Sequence, residues 1–132
     1  MTRRIISTPH APGSAAYVLG SFPFSQAIVA AGLVFVAGQG PINPADGSVV
    51  GTTIQEQTRQ CLRNIEAILM AAGSSMDKVV NATFFLRDAS DFLGMNEEWV
   101  RWFPIDPPSR QGARHWLDAE GLMIALAVVA EA

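Results

Sequence analysis

Residues 122–130, Leu-Met-Ile-Ala-Leu-Ala-Val-Val-Ala, are apolar at every position. A strand alternates its side chains between two faces, so a strand without a polar face must be covered on both. The chain's own helices can supply one cover. The other is best supplied by a neighbouring subunit, since large exposed apolar faces mark interfaces. The charge content agrees: only 16% of residues are charged, against about 25% in a typical soluble domain.

The remaining elements are read from periodicity and turn chemistry. Residues 25–29 and 33–39 are apolar runs split by Ala30-Ala31-Gly32, a hairpin pattern. Residues 53–72 form the clearest helix. Thr53 and Glu56 make a capping box, and Cys61, Leu62, Ile65, Ile68, Leu69 and Ala72 follow as an apolar stripe, closed by Gly73. On that stripe Cys61 reads as a small core residue. Residues 78–86 alternate as a strand, and Asp91 caps a second helix with Phe92, Met95, Trp99 and Trp102 on one side. Pro104, Pro107 and Pro108 end it. Residues 111–117 and 122–130 read as two strands joined by a turn at Asp118-Ala119-Glu120-Gly121. The expected architecture is α+β: hairpin, helix, strand, helix, hairpin, giving one mixed sheet with two helices packed on one face. The 132 residues make a single domain, with residues 1–20 as an irregular lead-in.

Several functions are disfavoured. With net charge −3 and no basic stripe beyond Arg3-Arg4, the chain lacks the footprint of a nucleic-acid binder. A lone cysteine makes no internal disulfide. Neither an apolar signal region nor a membrane-length apolar run is present, so no membrane partner and a cytoplasmic location are expected. No phosphate-cradling glycine motif occurs, and His10 and His115 lack metal-ligand spacing, so no metal is expected.

Arg110 is the leading site candidate. It follows Pro107-Pro108-Ser109 and opens a strand, so a stiff loop delivers its planar fork, which suits a carboxylate. Composition alone favours a solvated surface charge, and Arg114, on the same side of that strand, competes for the role. The strand end at Gly38-Gln39-Gly40-Pro41 would let backbone N–H groups approach an anion, although alone it reads as a turn.

At these residues the chain resembles the RidA/YjgF family. Phe24-Ser25-Gln26-Ala27 is similar to the family's Tyr-Ser-Gln-Ala, and residues 33–39, Leu-Val-Phe-Val-Ala-Gly-Gln, to its Leu-Val-Phe-Val-Ser-Gly-Gln. The Pro41-x-x-Pro44-x-x-Gly47 turn, Asn64-Ile65, Ala71-Ala72-Gly73, Asp77-Lys78-Val79-Val80, Thr83-Phe84-Phe85-Leu86-Arg87-Asp88, Asn96 and Pro108-Ser109-Arg110 follow in family order. The likeness runs over about residues 20–130. It implies a chorismate-mutase-like fold, a homotrimer with clefts between subunits, and no cofactor. It also implies hydrolysis of a small carboxylate-bearing enamine or 2-imino acid to the keto acid and ammonia. Arg110 would hold the carboxylate, the backbone at Gly38 would assist, and Asn96 is retained.

The departures cluster at the site. Phe24 stands for the family's Tyr, Ala37 for its Ser, Gly112 where Cys is frequent, and Ala125 where a Glu positions water. The carbonyl of Gly112 is the first candidate to hold water instead, ahead of Glu120 and Glu131. The alternatives are a non-catalytic small-acid-binding protein on the same scaffold and a deaminase of a larger aminomuconate-type acid. For the larger acid, Phe24, Ala37 and Ala125 would make the cleft roomier or more apolar.

Overall fold

A computed structural model describes residues 2–13, 23–115 and 120–132. Six strands form one sheet: β1 (Arg4–Ile6), β2 (Ala27–Ala30), β3 (Leu33–Gln39), β4 (Val79–Leu86), β5 (Ser109–Arg114) and β6 (Ile124–Glu131). Two helices, α1 (Ile54–Ala71) and α2 (Phe92–Trp102), lie on one face.

α1 keeps the limits that its sequence signals predict. Thr53 Oγ1 accepts from the Glu56 N–H at 3.2 Å, and Glu56 Oε1 accepts from the Thr53 N–H at 3.1 Å. At the other end the Ser74 N–H reaches the Leu69 carbonyl and the Gly73 N–H that of Met70, with Gly73 at φ +81°. These paired bonds satisfy the last free carbonyls. Cys61, Leu62, Ile65, Ile68 and Leu69 face the sheet, fully buried. Burial pushes the Cys61 thiol far up, so it is a packing residue, not a nucleophile.

The strand order is β1-β2-β3-β6-β4-β5. Two expectations are corrected here. Residues 4–6 of the lead-in form an edge strand against β2. β5 and β6 form no hairpin: β5 runs parallel to β4, connected through α2, while β6 lies antiparallel between β3 and β4. The reason lies in their side chains. β6 has no polar face and takes a central place with a neighbour on each edge. β5, Ser-Arg-Gln-Gly-Ala-Arg, is polar and takes the edge, as edge strands do.

Ile124, Leu126, Val128 and Ala130 of β6 point into the helix layer with Val34, Val36, Ala82 and Leu86. The opposite face carries no helix. Across it the register aligns Ile5, Ile28, Phe35 and Val129 in one apolar row, with Phe35 44% exposed. Toward β5 this face turns polar, where Gln111 bonds to Asn81 and Thr83. Breaks in register after Val36 and after Val79 mark bulges, so Gln39 is buried and Val80 exposed, the reverse of simple alternation.

Candidate active site

Arg110 lies opposite Ala82 in the parallel β4–β5 pair. Ala82 faces the core, so Arg110 projects to the helix side and meets α2. Its Cζ stands 5.1 Å from the ring centre of Phe84, 5.4 Å from Phe92 and 5.0 Å from Trp99. These rings attract the cation through their faces but accept no in-plane hydrogen bonds. Among the described residues, no carboxylate pairs with Arg110 and no hydrogen bond occupies its donors. Loss of water around it lowers its pKa. A half-buried guanidinium with unspent donors has the chemistry that an anion receptor needs.

Arg114 points the same way, opposite Leu86, but is exposed and donates from Nε to the Arg87 carbonyl at 3.3 Å. Of the two competing arginines, only Arg110 has the aromatic setting and the free fork.

Asn96 lies on the same stripe of α2, four residues after Phe92 and three before Trp99. Its Oδ1 is buried and has no hydrogen-bond partner. Such an acceptor is costly unless something fills it. Gly112 lies opposite Phe84. A side chain on residue 112 would run into the ring and carbonyl of Phe84. Phe84 thus occupies the space that a Cys at this position would need.

α2 is fixed by a second set of contacts. The Glu98 side chain is 3% exposed. It accepts from Arg59 Nε at 3.2 Å and Arg59 Nη2 at 2.9 Å, joining α1 to α2, and from Trp102 Nε1 at 2.9 Å. Burial alone would raise the Glu98 pKa. The donors from Arg59 and Trp102, with the charges of Arg59 and Arg101, more than offset this and hold it below the ordinary range.

The other expected site residues lie elsewhere in the chain. Phe24 and Ala37 line an open groove of about 450 Å³ with Arg3, Ile28 and Phe35, beyond β3. Gly38 is exposed at the β3 bulge. From β3 to β5 the order crosses β6 and β4, roughly 14 Å at about 4.8 Å per strand. Gly38 is therefore not beside Arg110 within one chain. Ala125, opposite Phe85, faces the open side of the sheet, away from Arg110. Glu120 is exposed in a turn, and Glu131 lies opposite Leu33.

The Phe84, Phe92 and Trp99 cage was not foreseen from the sequence. The i, i+7 spacing of Phe92 and Trp99 was visible, but only the parallel β4–β5 pairing brings Arg110 beneath them.

Residues 15–128 match the family model described as endoribonuclease L-PSP. The chain is 42% identical over 110 residues to a RutC family protein of Pyrococcus abyssi, covering 83% of this chain and 82% of that one. This protein is a member of the RidA/YjgF family. Another relative in the same family, the chloroplastic Reactive Intermediate Deaminase A of Arabidopsis thaliana, is 38% identical over 108 residues, or 82% of this chain and 54% of that protein. The solved structure of a Rid family protein from Yersinia pestis superposes with a TM-score of 0.88 at 33% identity, covering 99% of this chain and 100% of that one. The RidA/YjgF fold is chorismate-mutase-like, and the mixed sheet with two helices on one face is that fold. Among the described residues, no helix is long and apolar enough to cross a membrane.

Proposed function

We propose that this RidA/YjgF protein hydrolyses a small carboxylate-bearing 2-imino or enamino acid to the 2-keto acid and ammonia. The observation that carries the reading is Arg110, a half-buried cation with free donors framed by three rings. Its fork holds the substrate carboxylate, and Asn96 Oδ1 is an acceptor suited to the adjacent N–H. The proton on the imine nitrogen makes C2 electrophilic, and Arg110 offsets the negative charge of the carboxylate beside it. Water adds to C2, the C–N bond breaks, and the nitrogen leaves as ammonia with the protons that water gives up. We assign the Gly112 carbonyl, two residues from Arg110, to orient that water in place of a side-chain carboxylate.

Two features support an assembly with the site between chains, and the family likeness makes three the number of chains in this reading. The Arg110 half and the Phe24, Ala37 and Gly38 half lie toward opposite edges of one sheet, too far apart to grip one small acid. The uncovered face with Ile5, Ile28, Phe35 and Val129 is the apolar surface that partner copies would bury. A second reading, an acid-binding protein without turnover, is favoured by Ala125, since a positioned carboxylate typically contributes 10²–10⁴-fold to proton transfer.

The test is a panel of imino and enamino acids generated in situ, with ammonia release followed for the parent and for Arg110→Ala. Release that disappears with Arg110 supports the deaminase. Saturable keto-acid binding without release supports the binding protein. Light scattering during size exclusion should give three chains, and a monomer at micromolar concentration would remove the inter-subunit site.

A further inference from the structure

On the outer surface of the helix layer, Arg59, Arg63, Glu98, Arg101 and Trp102 line an open depression of about 570 Å³. We propose that this depression is a second anion site, separate from Arg110, that takes the phosphoryl group of a small molecule.

The argument starts from charge. Three of the nine basic residues of a chain with net charge −3 converge here, and the only acid in the lining is Glu98. Two positive charges are therefore left unmatched. Glu98 does not repel an incoming anion as an exposed acid would. It is buried, and its oxygens are already engaged by Arg59 and Trp102. Its role is to hold the Arg59 guanidinium in place, using Nε and Nη2 and leaving Nη1 unspent.

Arg63 follows Arg59 by one helical turn, and it makes no ion pair or hydrogen bond with a described residue. Arg101, one turn after Glu98, reaches that carboxylate only at 3.7 Å and remains 69% exposed. The neighbouring acids are committed or outside the lining: Glu56 caps α1 and Glu97 accepts from Gln55. Glu66, one turn beyond Arg63, does not line the depression. Two exposed forks, Arg63 and Arg101, beside the unspent Nη1 of one fixed guanidinium suit a multivalent tetrahedral anion, because arginine binds phosphate through paired hydrogen bonds. The half-buried Trp102 gives the depression an apolar wall. The surface lies on the helix side, so covering the open sheet face would leave it accessible.

The test is calorimetry on the intact chain with inorganic pyrophosphate, at an ionic strength fixed with sodium chloride. We expect saturable binding at one site per chain, weakened at least tenfold in the Arg63→Gln/Arg101→Gln double variant and unchanged in Arg110→Ala. Both substituted arginines are exposed, and near-ultraviolet circular dichroism verifies that packing is retained. No saturable binding, or binding that survives the double substitution, would overturn the site. Binding lost in Arg110→Ala would assign pyrophosphate to the other site and overturn it equally. Citrate saturating as tightly as pyrophosphate would overturn the phosphoryl class.

Discussion

Replacing Gly112 by Cys, the residue frequent at this place in the family, tests whether Phe84 has taken over the volume of the missing side chain. A Cβ on residue 112 overlaps both the ring and the carbonyl of Phe84. The ring can turn, but it lies against Phe92 at 5.7 Å between centroids and beneath Arg110, so turning disturbs the cage. Overpacking of this kind costs about 1–3 kcal/mol. Loss of one cation–π contact adds about 0.5–1 kcal/mol. With a urea slope of about 2 kcal/mol/M, a cost of about 2 kcal/mol lowers the unfolding midpoint by roughly 1 M. Phe84→Val alone also destabilises, through lost burial. The combination Gly112→Cys/Phe84→Val should lose less than the sum of the two, with a coupling of about 0.5–3 kcal/mol in favour of the pair. The assay is equilibrium urea unfolding of the four proteins, with keto-acid affinity measured alongside. Strict additivity, or a Gly112→Cys single variant as stable as the parent, would refute the claim that these positions share one space.

Arg110→Lys should weaken keto-acid binding by about 1.5–3 kcal/mol, since an ammonium cannot reproduce the fork; unchanged affinity in calorimetry would remove Arg110 as anchor. Arg59→Ala leaves Glu98 without its main partner and, with Trp102 and Arg101 still in place and solvent at the open side, should destabilise by about 1–3 kcal/mol in thermal or urea unfolding. The folded-state pKa of Glu98 lies below the ordinary glutamate value, so its contribution is present above that ordinary value and is lost as pH falls through the lower, folded one. Glu98→Gln should therefore flatten the acid limb of a stability–pH curve, and an unchanged limb would show that other carboxylates set it.

Much local chemistry was legible in the sequence, although Asp91, expected to cap α2, makes no side-chain cap bond, and Asp88 instead accepts from the Ser90 N–H in the short turn before it. Thr53, Glu56 and Gly73 set the ends of α1 without help from the rest of the fold. The β2–β3 turn at Ala31-Gly32 takes positive φ at both residues, as a tight hairpin requires. What was not legible depends on partners distant in sequence. The turn at 118–121, of which residues 118 and 119 lie outside the described residues, read as a hairpin, yet β6 pairs with β3 and β4 instead. That one difference moved Arg110 from an unspecified strand face to a place under Phe92 and Trp99. The family likeness named Arg110, Gly38 and Ala125 as one site. Strand order and side-chain parity separate them within one chain, and neither can be counted from a sequence alone.

β6 comes after the other five strands in the chain and is the one that joins the sheet. Until it is available, β1–β3 and β4–β5 have no strand between them, and the inner edges of β3 and β4 lack their partners. The folding transition must wait for contacts between distant parts of the chain, which slows folding in proportion to loop closure. During that interval two unpaired, largely apolar edges are open to other chains. A nascent chain stalled before residue 124 is thus a better substrate for chaperones and for aggregation than for independent folding. Removing even the last few residues of β6 should harm solubility more than removing β1, which loses one pairing at an outer edge.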